Sequence, residues 1–122
     1  MDARYYKTIA RMAIVSIDDR ARAMEGIPEL LQIVKIDSNH IPTLYTLGLM
    51  GIESGQYDKA LQRFEKLISL QPFNAELYLY VGEIYLKKGD KATAKINLVK
   101  AKKLARNSFV LQSIEELLKE TN

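Results

Sequence analysis

Two stretches of this sequence carry the same pattern at a fixed distance. Residues 44–60 are LYTLGLMGIESGQYDKA, and residues 78–94 are YLYVGEIYLKKGDKATA. An offset of 34 residues relates Gly48 to Gly82, Gly55 to Gly89, Ala60 to Ala94, Phe64 to Leu98 and Leu67 to Ala101. A pattern that returns with this period is typical of proteins built from stacked helix pairs.

Local signals in the first copy predict two helices joined by a turn. Pro42 suits the first turn of a helix, where its missing N–H does no harm. Gly55 suits a helix end, and Asp58 supplies negative charge at the start of a second helix. The sequence therefore predicts one helix from Ile41–Pro42 to just before Gly55, and another over 58–70 that Pro72 closes.

The second copy predicts the same plan. Asn74 can cap a helix over 75–88, Gly89 and Asp90 turn the chain, and a partner helix follows over 91–105. Gly48 and Gly82 fall inside predicted helices, where glycine costs about 1 kcal/mol relative to alanine. We expect close helix contacts at both positions to explain them.

This pattern resembles the tetratricopeptide repeat family over residues 41–106. Gly51 and Arg106 depart from the family pattern, which usually has Tyr and Pro there. The resemblance implies an all-α fold, a right-handed superhelix (α-solenoid) of stacked antiparallel helix pairs. It is carried by Leu44, Leu47, Gly48, Gly55, Tyr57, Ala60, Phe64 and Pro72 in one copy, and by Tyr78, Val81, Gly82, Tyr85, Gly89, Ala94, Leu98 and Ala101 in the next.

The flanking segments also fit this plan, although less closely. We therefore expect a single domain over 1–122. Apolar residues recur at helical spacing over 2–17, and a second helix starts near Met24 or Pro28. Residues 7–40 are then a degenerate first repeat, followed by repeats 41–74 and 75–108. Ser108 can cap a last helix from Phe109 to Lys119, within a capping segment 109–122. The expected total is about seven helices.

Composition excludes most catalytic and metal-binding classes. The 122 residues include no Cys and one His, so thiolate zinc sites, iron–sulfur clusters and Cys–His pairs are excluded. We expect His40 to mark a helix start, because it precedes Ile41 and Pro42. The sequence predicts no enzyme, no metal and no cofactor.

Hydropathy predicts no membrane-spanning helix. The longest nearly apolar stretch, residues 41–52, falls short of the roughly 20 residues that a span needs. We expect a cytoplasmic protein, or a periplasmic or membrane-anchored one if an N-terminal leader or anchor was trimmed.

The family resemblance implies that the first helix of each pair lines a concave groove that binds an extended peptide or a helix. The stripe one residue beyond the core positions then faces outward and is unusually apolar. We predict a protein or peptide partner, with carboxylates that favour Lys or Arg beside its apolar anchors. The predicted groove residues are Arg11, Val15, Tyr45, Leu49, Ile52, Glu53, Glu76, Leu79, Tyr80, Glu83, Leu86 and Lys87.

Three alternatives remain open. Part of the stripe can be covered by the protein itself, or it can pair with a second copy in a homo-oligomeric scaffold. Nucleic-acid binding through the Lys-rich segment 87–106 is disfavoured, because its charges spread around a helix and no aromatics interleave. A solvated outer face balanced by Glu115, Glu116 and Glu120 explains that segment better.

Overall fold

The computed structural model describes residues 27–122, and six helices and no strand occupy that range. They are α1 (Ile27–Ile36), α2 (Ile41–Ser54), α3 (Tyr57–Leu70), α4 (Ala75–Lys87), α5 (Lys91–Leu104) and α6 (Ser108–Lys119). Loops of two to four residues join them, and such short loops make neighbouring helices antiparallel. The prediction of an all-α fold of stacked helix pairs is confirmed. The helix expected over 2–17 lies outside the described residues.

Predicted and observed helix bounds agree closely in the repeat region. The helices α2 to α5 begin and end within about a residue of their expected limits. The cap of α6 differs from the prediction. The Asn107 side-chain oxygen accepts the Val110 N–H at 2.8 Å, so Asn107 rather than Ser108 caps α6 and the helix begins one residue earlier.

Both predicted glycine turns adopt left-handed backbone. Gly55 has a φ of 79° and Gly89 a φ of 85°, values that glycine adopts without a steric penalty. After the first turn, the Gln56 N–H donates to the Gly51 carbonyl at 2.8 Å. After the second, the Asp90 N–H donates to the Tyr85 carbonyl at 2.9 Å. The same turn therefore ends the first helix of each pair.

Two glycines let the helices of each pair approach closely. A Cβ at Gly48 would lie 2.8 Å from the Phe64 ring, and a Cβ at Gly82 would lie 2.6 Å from Leu98 Cγ. Both distances are too short for a real Cβ atom. The predicted packing role of these glycines is therefore confirmed in α2–α3 and α4–α5.

The core is continuous along the stack. One buried cluster joins α2, α3 and α4 through residues such as Leu44, Phe64 and Leu77. A second cluster joins α4, α5 and α6 and contains Leu98 and Ile114. Helix α6 packs against both α4 and α5, so α4 contacts its own partner α5 and also the first helix that follows the pair. Within residues 27–122, no helix is both long enough and apolar enough to cross a bilayer.

Candidate functional site

The outward sides of α2 and α4 meet in one surface. The ring centroids of Tyr45 on α2 and Tyr80 on α4 lie 5.7 Å apart with an interplanar angle of 84°. The Tyr45 hydroxyl also donates to a Glu76 carboxylate oxygen at 3.0 Å. We use the name α2–α4 surface for five half-buried apolar residues of the predicted groove: Tyr45, Leu49, Ile52, Tyr80 and Leu86.

An aromatic cluster forms the base of this surface. Phe64 of α3 is fully buried, and Tyr80 stacks on it at a centroid distance of 5.4 Å and an angle of 24°. Tyr45 meets the same ring edge-on at 6.2 Å. Such offset and edge-to-face pairs are favourable aromatic geometries. The cluster therefore holds both tyrosines in fixed positions at the edge of the core.

The Tyr45 hydroxyl remains a neutral hydrogen-bond donor. Burial raises the pKa of Tyr45 well above its ordinary value, and the neighbouring Tyr80 hydroxyl and Glu76 carboxylate raise it further. The phenol consequently keeps its proton throughout the physiological pH range, and its bond to Glu76 connects α2 with α4.

The charges of two other carboxylates act on Glu83 at the other end of the surface. Burial is the main factor that raises the pKa of Glu83 on α4, and the negative charges of Glu120 and Glu53 raise it further. Lys87 opposes them and lowers the pKa. Glu83 is half-buried, whereas Glu53 and Glu120 are exposed. This end of the surface is therefore acidic and only partly balanced by Lys87.

Sequence reasoning missed the contribution of Glu120. That residue was expected on a polar outer face of the last helix, yet its charge acts on Glu83. The repeat period contains the signal, because Glu120 follows Leu86 by 34 residues and Leu86 follows Ile52 by 34. Extending the groove register into α6 would have placed Glu120 beside the groove.

The prediction that Leu79 faces outward is wrong. Its side chain is 9% exposed and belongs to the buried cluster that contains Ile114 of α6. Helix α6 packs against α4, and its Ile114 lies in the same buried cluster as Leu79. At Leu79, coverage by the protein itself is therefore the correct alternative.

The remaining predicted groove residues differ in their surroundings. Lys87 is exposed at the end of α4. Glu76, besides accepting the Tyr45 hydroxyl, lines an open pocket of about 190 Å³ together with Phe73 and Arg106. Arg11 and Val15 lie outside the described residues.

No cluster of metal-ligating side chains accompanies the surface in the described part of the chain. Over residues 27–122, His, Asp and Glu side chains do not gather in a group of three that could hold a metal ion. His40 precedes α2, where its ring Nδ1 lies 2.6 Å from the Thr43 hydroxyl oxygen. This position at a helix start is the expected one.

Family models match the repeat region of the chain. One, described as TPR repeat, matches residues 48–89. Another, described as tetratricopeptide repeat, matches residues 75–108. Together they span 48–108, which is half of the chain. Curated proteins give no match to the sequence.

Solved structures of one bacterial chaperone share the fold. The crystal structure of the Yersinia enterocolitica type III secretion chaperone SycD in complex with a peptide of the translocator YopD superposes with a TM-score of 0.83 at 16% identity, covering 98% of this chain and 90% of that chain. A second structure, of the translocator chaperone SycD, gives a TM-score of 0.84 at 16% identity, covering 98% of this chain and 81% of that chain. At this level of identity the likeness establishes the common fold.

Proposed function

Because this chain belongs to the tetratricopeptide repeat family, we propose that it is a non-catalytic interaction module that binds a peptide or amphipathic helix of a partner protein on the α2–α4 surface. The SycD structure in complex with a YopD peptide supports the proposal, since a protein of this fold binds a peptide of its partner.

The observation that carries the proposal is a row of half-exposed apolar side chains. Leu49, Ile52 and Tyr80 pack against the first core cluster, and Leu86 packs against the second. Fully burying one such side chain contributes about 1.5–3 kcal/mol. Because these four side chains are only partly buried, part of that free energy is gained only when a ligand covers them. A partner with apolar side chains at helical or extended spacing would complete their burial.

The acidic end of the surface adds a preference for basic residues. Burial and two neighbouring carboxylates disfavour the charged form of Glu83. A Lys or Arg of the partner beside Glu83, Glu53 and Glu120 would relieve that repulsion and lower the pKa of Glu83. We therefore expect partner segments that place a basic residue next to apolar anchors.

The test is selection from a displayed library of random peptides with the wild-type protein as bait. We expect the enriched peptides to combine apolar residues with Lys or Arg. The variant Leu49→Gln/Leu86→Gln should weaken the selected peptides by roughly 10- to 100-fold, because two partly exposed anchors are lost. Isothermal titration measures the change.

A matched control makes the same substitutions elsewhere. Leu31→Gln/Leu70→Gln removes two exposed leucines that lie outside the α2–α4 surface, and binding should remain unchanged. Equal weakening by both variants, or no enrichment at all, contradicts the proposal.

The variant Glu83→Gln tests the contribution of charge separately from that of the apolar anchors. It should reduce the affinity for peptides with a basic residue and leave the affinity for neutral apolar peptides unchanged.

The same surface can alternatively receive a second copy of this chain. Light scattering at increasing concentration distinguishes the two occupants, because a homo-oligomer held by this surface would become monomeric in Leu49→Gln/Leu86→Gln. A wild-type protein that stays monomeric favours the peptide partner.

A further inference from the structure

A second surface lies on α5, away from the helix's core contacts. Ala94, Leu98 and Ala101 of α5 are fully buried. On the opposite side, Ile96 is 69% exposed and Val99 is 37% exposed. Helical spacing places Ala92 and Lys103 in the same stripe as these two residues. An apolar strip therefore lies open on the outside of the repeat 75–108.

The sister helix shows that the fold does not require this strip. Helix α3 holds the same place in the repeat 41–74, and an offset of 34 residues relates Ile96 to Gln62 and Val99 to Glu65. Both of these residues of α3 are polar and exposed. Because α3 has Gln and Glu at the equivalent positions, packing within the repeat does not require the apolar residues Ile96 and Val99 on α5.

The charge of α5 is one-sided. The helix carries lysine at positions 91, 95, 100, 102 and 103 and no acidic residue. Lys102 faces Glu115 at 3.8 Å, and Lys100 Nζ lies 4.8 Å from the centre of the Tyr78 ring. Among residues 27–122, no carboxylate forms an ion pair with Lys95 or Lys103. Positive charge thus flanks the apolar strip without being neutralised.

We propose that the α5 face, defined as Ala92, Lys95, Ile96, Val99, Lys100 and Lys103, docks on an anionic lipid surface. Exposed aliphatic side chains with lysines beside them suit the boundary between lipid headgroups and acyl chains. The aliphatic stems of the lysines can lie along the apolar region while their ammonium groups reach the headgroups. The complementary partner is therefore a membrane that contains negatively charged lipids.

Other polyanions fit the α5 face less well. A nucleic acid would place phosphates against Ile96 and Val99, and α5 has no aromatic side chain on which a base could stack. The outside of one helix offers no cleft to hold an extended acidic peptide. A lipid surface requires no complementary shape and accepts both the lysines and the aliphatic strip.

The experiment measures co-sedimentation of the full chain with vesicles of phosphatidylcholine, with and without phosphatidylserine. We expect binding only to the vesicles that contain phosphatidylserine, with an affinity that falls as salt is raised. The variant Lys95→Gln/Lys103→Gln should weaken binding by about fivefold for each lysine. The variant Ile96→Gln/Val99→Gln keeps the net charge and should weaken binding by about tenfold through lost insertion.

A control variant on α3 tests whether the effect is specific to the α5 face. Lys59→Gln/Lys66→Gln on α3 makes the same change of net charge on the sister helix and should leave vesicle binding nearly unchanged. Circular dichroism and urea unfolding verify that each variant folds. The proposal is overturned if the wild-type protein does not co-sediment with the anionic vesicles at low salt. It is also overturned if Ile96→Gln/Val99→Gln binds them normally while a DNA duplex displaces the protein, which would identify a general polyanion site.

Discussion

At the residue scale, Gly82 sets the distance between α4 and α5. A Cβ at this position would lie 2.6 Å from Leu98 Cγ and 3.3 Å from the Ala94 carbonyl oxygen. Leu98 is fully buried, so it cannot move aside without displacing neighbouring core atoms. Close packing therefore requires glycine at this position, although glycine is about 1 kcal/mol less favourable than alanine in a helix.

Gly82→Ala separates these two effects. Helix propensity alone predicts a more stable protein, whereas overpacking predicts a loss of roughly 1–3 kcal/mol in the free energy of unfolding. We expect the loss, measured by urea unfolding. In the background of Leu98→Ala, which removes the obstructing side chain, Gly82→Ala should cost much less. A stabilised single variant would show that the contact does not limit the helix spacing.

At the scale of the element, α6 depends on its cap. The Asn107 side chain accepts the Val110 N–H, while the neighbouring Ser108 is already the first residue of the helix. Asn and Ser are comparable capping residues, and here they are adjacent. Sequence reasoning chose Ser108 because it precedes the apolar run, and nothing in the pattern distinguishes the two starts.

Alanine substitutions distinguish the caps directly. Asn107→Ala should lower the free energy of unfolding by about 1 kcal/mol, and Ser108→Ala should change it by less than about 0.5 kcal/mol. Amide hydrogen exchange in the first turn of α6 should accelerate only in Asn107→Ala. The reverse order of effects would restore Ser108 as the cap.

At the scale of the whole molecule, contacts between successive first helices decide which groove positions are open. Tyr45 meets Tyr80 in the next first helix. One repeat later, Leu79 shares a buried cluster with Ile114. Each residue of the second pair follows its counterpart by 34 positions. The large Tyr45 side chain is only half-buried at this contact, whereas the shorter Leu79 side chain is 9% exposed.

This difference predicts contrasting effects of one substitution at two sites. Leu79→Glu places a charge in the core between α4 and α6 and should reduce the free energy of unfolding by more than about 3 kcal/mol. Leu49→Glu, on the half-exposed α2–α4 surface, should cost about 1 kcal/mol or less. Thermal unfolding of both variants checks the contrast, and similar losses would contradict the assignment of Leu79 to the core.

The 34-residue period predicted most of the fold because helix ends and core positions are local and periodic. It placed Gly48 and Gly82 at close contacts and Gly55 and Gly89 at turns, as observed. The solvent-exposed residues of the groove were harder to predict. Helical spacing shows which residues point away from their own helix pair, but it does not show which of them the first helix of the following repeat covers. Leu79 was misassigned for this reason, and the effect of the Glu120 charge on Glu83 was missed. The binding roles of the other groove residues stay predictions.

The aromatic cluster of Tyr45, Phe64 and Tyr80 also makes the protein an optical probe of its own surface. The sequence contains seven tyrosines and no tryptophan, so tyrosine emission is not masked by energy transfer to indole. Two of those phenols stand at the α2–α4 surface, and one of them is bonded to a carboxylate, a contact that quenches phenol fluorescence. A ligand that draws Glu76 away from Tyr45 would brighten the emission, and occupancy can be followed without an attached dye.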